Sequence, residues 1–209
     1  RHHGIAPWIS LRMNDVHHND NRPFPAAPAR LVTREEAAGA AVAVLSGGAD
    51  AAYLFNYFQH GHPGWPVPEY QRTLRAFSSM DELQKLPRRH AVTYRDVTLP
   101  DEVYRAPLPA SGMQLSFALP LGPVPAAGWK LETSVEIAAA GSGDALPGVF
   151  VNGVAGAFCR SETVKSGGRL VTHEYPVIAL SGKGRDVIVV KAGGAVPVKV
   201  QRVEVSVRA

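Results

Sequence analysis

The feature that most constrains the fold is a strict alternation of side-chain character between residues 129 and 137. The odd positions carry apolar or β-branched side chains, and the even positions carry the polar side chains Lys130, Glu132, Ser134 and Glu136. Successive side chains of a β-strand point to opposite faces, so this pattern predicts a strand with one face in a core and the other in water.

The rest of the second half predicts more strands of the same kind. Gly, Pro and Ser turns separate them at the spacing of a β-sandwich, over residues 91–99, 113–119, 149–154, 173–180, 186–191 and 196–207. Asn152-Gly153 is typical of a type I′ hairpin turn. In the last strand the parity of the valines changes after Val200, which predicts a β-bulge at Gln201-Arg202. We therefore predict an antiparallel, jelly-roll-like β-sandwich over residues 89–209.

Residues 1–88 have a different pattern, typical of β/α units. The apolar runs 4–11 and 51–58 predict buried strands, and the second contains no charged residue, which suits a parallel sheet covered by helices. The predicted fold class is therefore α/β plus all-β: a partial (β/α) barrel segment followed by the sandwich.

Three helices are expected in this first half. Thr33 and Glu36 form a capping box for a helix that ends at Gly47-Gly48. A second helix is expected from near Pro68 to residue 77, and Ser79 with Glu82 predicts another capping box before a short third helix.

A dense polar cluster follows the first predicted strand directly. It runs from Arg12 to Asp20 and includes Asn14, Asp15, His17 and His18. A hydrophobic strand that ends in such a cluster is typical of the C-terminal mouth of a β/α strand, where barrel enzymes hold their active sites.

A second polar group follows the strand at 51–58. Asn56, His60, His62 and Trp65 lie at its end and in the Gly/Pro-rich loop after it. Sugars present apolar C–H faces and hydroxyl groups, so an aromatic ring with amide and imidazole donors suits them. We expect the two strand ends to open side by side into one sugar-sized hollow.

The segments Pro7 to His18 and Tyr53 to Phe58 resemble the later barrel strands of glycoside-hydrolase-like (β/α)8 proteins, loosely grouped with family-ten-like glycosidases. The sandwich is similar to the β-domain that follows such barrels. A complete barrel needs about 250 residues. The resemblance therefore implies that this chain is the C-terminal part of a longer protein, with earlier barrel strands and any catalytic carboxylate on them outside it.

The expected function is that of a carbohydrate-active protein, either a glycoside hydrolase or a part of one. Asp15 is the candidate catalytic residue, and Asp20 is a weaker one. The candidate substrate-binding residues are Arg12, Asn14, His17, His18, Asn56, His60 and Trp65. The opposing interpretation is a structural salt bridge between Arg12 and Asp15 that only fixes the loop.

Two other functions remain open. One is a non-catalytic carbohydrate-binding or structural protein that kept the scaffold without a full acid/base pair. The other is a metal-dependent hydrolase that uses Asp15, His17, His18 and Asp20. Adjacent histidines on a strand point to opposite sides, so no metal site is assigned, and no cofactor is expected.

Composition limits the partners. The net charge is +4, but the basic residues are scattered, so no nucleic-acid partner is expected. No apolar run reaches the roughly 18 residues of a membrane span, so no membrane partner is expected. The single cysteine, Cys159, lies among small residues and is expected to be a buried, inert thiol. The expected partners are a carbohydrate and, for an incomplete barrel, the missing barrel portion or another chain.

Overall fold

The computed structural model describes residues 33–49, 52, 67–77, 79–92, 108–139, 145–182 and 184–209. In these ranges the helices are α1 (Arg34–Ser46), α2 (Val67–Ala76) and α3 (Met80–Leu83), with a 3-10 turn at Val177–Ala179. The strands are β1 (Arg88–Ala91), β2 (Ala110–Gly112), β3 (Gln114–Leu119), β4 (Lys130–Ile137), β5 (Gly148–Val151), β6 (Val154–Ala155), β7 (Ala157–Thr163), β8 (Arg169–Tyr175), β9 (Asp186–Lys191) and β10 (Val198–Arg208).

The strands form two antiparallel sheets. Sheet A has the order β1-β10-β4-β8-β7, with β2 also paired to β10, and sheet B has the order β3-β9-β5-β6. Apolar residues from both sheets share one buried cluster, which includes Val135, Val171 and Val205 from sheet A and Val151 and Ile188 from sheet B. The predicted antiparallel β-sandwich is therefore confirmed.

Three local predictions for the sandwich are confirmed. Leu131, Thr133 and Val135 on β4 are fully buried, as the alternation requires. The pairing of β10 with β4 shifts register between Val200 and Arg202, which is the expected bulge. Asn152 and Gly153 have φ values of 48° and 84°, as a type I′ turn between β5 and β6 requires.

Other strand predictions need correction. The predicted strand 173–180 is displaced, because β8 covers Arg169–Tyr175 and Pro176 begins a 3-10 turn. Strand β7 was not expected, since both its faces are exposed and its sequence has no apolar alternation. The predicted strand 91–99 overlaps β1 at Ala91 only, and residues 93–99 lie outside the described ranges.

Two of the three helices have the ends that their sequences predict. The Thr33 hydroxyl accepts from the Glu36 N–H at 3.2 Å, and Glu36 accepts from the Thr33 N–H at 2.9 Å, so the first capping box is confirmed. Helix α2 also matches its prediction. The second capping box is wrong: the Ser79 side chain makes no cap bond, and the Glu82 carboxylate pairs instead with Lys85 at 2.6 Å.

The resemblance to a glycoside-hydrolase-like (β/α)8 barrel is contradicted. All strand pairs of the described ranges are antiparallel, and three short helices accompany them. Helix α1 packs on β1, an edge strand of sheet A: a Cβ atom on Gly39 would lie 2.0 Å from the Arg89 carbonyl oxygen. Helix α1 thus lies at the edge of the sandwich and does not cover a parallel sheet, while its residues Ala37, Ala38 and Ala41 form a separate small cluster with Phe77 and Leu83. The division into domains at residues 88 and 89 stays a prediction.

No helix among the described residues is long and apolar enough to cross a membrane.

The contact between α1 and β1 predicts that replacing Gly39 with alanine destabilises the protein, although such a replacement normally stabilises a helix. Alanine in place of glycine normally stabilises a helix by about 1 kcal/mol. At position 39 the added methyl group meets the Arg89 backbone, so we expect Gly39→Ala to lower the free energy of unfolding by about 1–3 kcal/mol. Urea denaturation measures this difference.

Gly47 provides the matched control, because it is exposed at the end of α1 with a φ of −74°. Gly47→Ala is expected to change the free energy of unfolding by about 1 kcal/mol or less. A gain in stability for Gly39→Ala would show that α1 does not lie on β1.

Candidate functional site

The site residues predicted from sequence lie outside the described ranges. This applies to the candidate catalytic residue Asp15 and to Arg12, Asn14, His17, His18, Asn56, His60 and Trp65. Their roles stay predictions.

Arg88 is the largest buried polar side chain and links the two sheets. It is 1% exposed, and its Nε and Nη2 donate to the carbonyl oxygens of Leu121 and Pro123 at 3.1 and 2.6 Å. Burial lowers the pKa of Arg88 to about 10, and the negative charge of Asp186 partly offsets this effect. The guanidinium remains charged at neutral pH, and its bonds hold sheet A to the loop that follows β3.

His90 and Asp186 complete this interior polar cluster. Burial, and then the charge of Arg88, lower the pKa of His90 to about 3, so its ring is neutral at pH 7. One oxygen of Asp186 accepts from Asn152 Nδ2 and from the Ser181 N–H, both at 2.7 Å. Both side chains are at least nine-tenths buried, so the cluster is shielded from solvent and cannot receive a substrate.

A second buried group lies on β4 and β8. Tyr175 and Thr133 share a hydroxyl–hydroxyl bond of 3.2 Å, and burial raises the pKa of Tyr175 to about 12. Burial lowers the pKa of His173. Gly156 closes this part of the core, because a Cβ atom there would lie 2.4 Å from the Tyr175 ring. These groups support packing and have no access to a ligand.

The outer face of sheet A is highly charged, but its charges are paired. Glu132 bonds to Arg208, Glu136 lies 3.6 Å from Arg202, and Glu204 lies 3.5 Å from Arg202. Glu174 lies 3.8 Å from Lys130. Carboxylates engaged in this way stabilise the sheet surface and are poorly suited to proton transfer, so this face does not form an acid/base pair.

The outer face of sheet B is open and mostly small. The registers of β3, β9 and β5 place one set of side chains on it, here called the platform: Gln114, Ser116, Ala118, Phe150, Val187, Val189 and Lys191. Most of them are exposed, while Phe150 and Val189 are half-buried. The platform contains no acidic residue, so it presents one aromatic ring, one cation and small flanking side chains.

Phe150 and Lys191 are the chemical centre of the platform. The ammonium nitrogen of Lys191 lies 4.8 Å from the centroid of the Phe150 ring. Gly148 lies directly across from Lys191, and the Phe150 ring packs beside it: a Cβ atom on Gly148 would lie 3.3 Å from the ring. An exposed cation–π contact is worth about 0.5–1 kcal/mol, so a stacking ligand can displace the ammonium group, which then donates to that ligand.

Sequence reasoning missed Phe150 and Lys191, although a signal for the exposure of Phe150 was present. Phe150 lies between Val149 and Val151 in a predicted strand, so its parity alone places it on the opposite face from two core residues. Its position beside Lys191 depends on the pairing of β5 with β9, which the sequence does not specify.

Two other features of the described residues carry no chemistry. A shallow hollow of about 220 Å³ is lined by the apolar or small residues Ile137, Ala145, Pro147 and 192–198. It is smaller than the roughly 300–1,000 Å³ of most ligand pockets. Within the described ranges no three His, Cys, Asp or Glu side chains are grouped to hold a metal ion.

The prediction that Cys159 is buried is wrong. Its thiol is exposed on β7, not buried as expected. The small residues around it led to the wrong expectation, because they belong to an edge strand that is exposed along its whole length.

No protein-family model and no curated protein matches this sequence.

The pKa of His90 predicts how stability depends on pH. In the unfolded chain His90 protonates near its ordinary pKa of about 6.5, whereas the folded protein keeps it neutral down to about pH 3. The unfolded state therefore binds more protons in this window, and stability falls as the pH falls from 6.5 towards 3. We expect the His90 contribution to decrease by about 2 kcal/mol between pH 7 and pH 5.

His90→Leu and His90→Gln remove this titration, so the loss of stability between pH 7 and pH 5 should be smaller in both variants. Urea denaturation at the two pH values measures the difference. Equal losses in the wild type and in both variants would show that His90 is protonated in the folded state.

Proposed function

We propose that the chain is a carbohydrate-binding protein whose β-sandwich binds a glycan on the platform of sheet B without catalysing its hydrolysis. The observation that carries this proposal is the half-buried Phe150 ring on the mostly exposed outer face of sheet B, with the Lys191 ammonium group 4.8 Å from the ring centroid. A pyranose ring has the same two requirements: an apolar surface for its C–H face and donors for its hydroxyl groups.

The residues around Phe150 are compatible with a glycan ligand. Val189 lies directly opposite the ring on β9, and Ser116 and Ala118 extend the surface on β3 with small side chains. A linear sugar chain can therefore lie across the strands, with Gln114, Ser116 and Lys191 as hydrogen-bond donors. The core of a protein–protein interface usually contains several large aromatic or aliphatic side chains, whereas the platform offers one aromatic ring.

The charges support binding without hydrolysis. Most glycosidases need two carboxyl groups about 5–9.5 Å apart, on either side of the scissile bond. The described platform has no carboxylate, and the carboxylates on the outer face of sheet A form ion pairs. Hydrolysis by Asp15, with or without a metal, depends on residues outside the described ranges and gains no support from this geometry.

Affinity electrophoresis and calorimetry of the full chain with soluble xylan, β-glucan and galactomannan test the proposal. We expect binding to at least one of these polysaccharides, with no release of reducing ends. Phe150→Ala should weaken that binding by at least about fivefold, because stacking on an aromatic ring contributes roughly 1 kcal/mol.

Ile178→Ala is the control, since Ile178 is a large apolar residue of the 3-10 turn that is 82% exposed and lies off both the platform and β7. It should leave the affinity unchanged. The proposal is overturned by an absence of binding to all three polysaccharides, by equal losses for Phe150→Ala and Ile178→Ala, or by release of reducing ends.

A further inference from the structure

Strand β7 is an open edge of sheet A. Its residues, Ala157–Thr163, are all exposed, and in the described ranges its strand partner is β8 alone. The outer side of such a strand presents unpaired N–H and C=O groups, which are available to pair with another strand.

Natural proteins usually protect an edge of this kind with lysine, proline, a bulge or a covering segment. Strand β7 contains no lysine and no proline. It has one irregularity, a register shift between Phe158 and Arg160, and the segment from Arg160 to Thr163 pairs regularly with β8. This regular part of the edge is open to a further strand.

The charged side chains of β7 can form ion pairs with those of a second, antiparallel copy of the same strand. Arg160 and Glu162 lie on the same face of the strand, two residues apart, and their Nε and Oε1 atoms form an ion pair of 2.8 Å. Both side chains are about half exposed, at 50% and 57%. An exposed pair of this kind is weak, so either side chain can exchange its partner at little cost.

We propose that β7 pairs antiparallel with β7 of a second copy of this chain, about a two-fold axis that passes through Ser161. In this register Arg160 of each copy lies opposite Glu162 of the other. Two copies thus form two crossed ion pairs and continue sheet A from one copy into the next.

Neighbouring registers, with the two-fold axis at residue 160 or 162, would also keep equivalent faces of the two copies of sheet A on the same side. The charges favour the axis at Ser161 over these two. A two-fold axis at Arg160 places two arginines opposite each other, and an axis at Glu162 places two glutamates opposite each other. Like charges directly opposite in a sheet are destabilising. The same argument favours a second copy over an unrelated strand, because β7 itself carries the complementary pattern.

The first experiment reverses the charges in the full chain and measures the dimer dissociation constant by sedimentation equilibrium. Arg160→Glu and Glu162→Arg each place like charges opposite each other, so each should weaken the dimer by about tenfold or more. The double variant Arg160→Glu/Glu162→Arg restores opposite charges and should recover the wild-type dissociation constant. Circular dichroism and urea denaturation serve to check that the variants fold.

The second experiment tests the register through disulfide formation in a Cys159→Ser background. Residues at the two-fold axis have Cα atoms about 4.5–5.5 Å apart, within the range of a disulfide, so Ser161→Cys should form a covalent dimer under mild oxidation. Thr163→Cys is the matched control. In this register its two copies are offset by four residues, about 13 Å along the strand, so it should remain uncrosslinked.

The proposal is overturned if the full chain stays monomeric at all concentrations, or if the double variant dimerises no better than the single variants. It is also overturned if Thr163→Cys crosslinks as fast as Ser161→Cys, or if β7 pairs with a strand of a different protein. None of these results bears on the binding of a short oligosaccharide, which occupies a single platform on the other sheet.

Discussion

The apolar layer between the two sheets is the constraint on which the rest of the structure depends. Strand β10 lies between β4 on one side and β1 and β2 on the other, and Val200, Val203 and Val205 on it are fully buried. Two of these valines are three residues apart, so a regular strand would turn one of them towards water. The bulge between Val200 and Arg202 corrects the parity and lets the whole strand face the core.

The same layer must be closed at its edge, and Arg88 and α1 do this together. Strand β1 lies beyond β10, where Arg88 enters the interior and bonds the Leu121 and Pro123 carbonyls of the loop after β3. A buried cation is tolerated when its donors meet oxygen atoms, and two of them do so here. Helix α1 then lies on β1 from outside, close enough that position 39 has room only for glycine. These buried polar groups thus stabilise the fold, and the candidate functional groups lie on the outer surfaces of the sheets.

Sequence predicted those parts of the fold that have a local signal. The alternation on β4, the Asn152-Gly153 turn and the Thr33–Glu36 capping box each follow from a few neighbouring residues, and each is present. The barrel prediction failed because a capped, alanine-rich helix such as α1 can lie at the edge of a sandwich as well as on a parallel sheet. Local sequence does not say which surface such a helix will cover, and tertiary packing decides it.

The candidate surfaces depend even more on pairing between distant strands. Parity places Phe150 outside the core, but Lys191 comes beside it only through the register of β5 with β9. Strand β7 was missed because an edge exposed on both faces needs no alternation, and Cys159 was misplaced for the same reason. Once the sheet is known, the exposed residues of β7 thus identify the edge of sheet A that can still pair with another strand.

The platform and the β7 edge lie on different sheets, so occupation of one leaves the other free. This separation has a consequence for a ligand with many repeating units. A dimer joined through β7 carries two platforms, and once one platform has bound a polysaccharide, the second binds the same chain at a high effective concentration. Under the proposed function, a single exposed ring and one lysine would give weak binding on their own. Pairing of two such sites would then be a physical route by which the protein retains a long polymer while each individual contact still exchanges quickly.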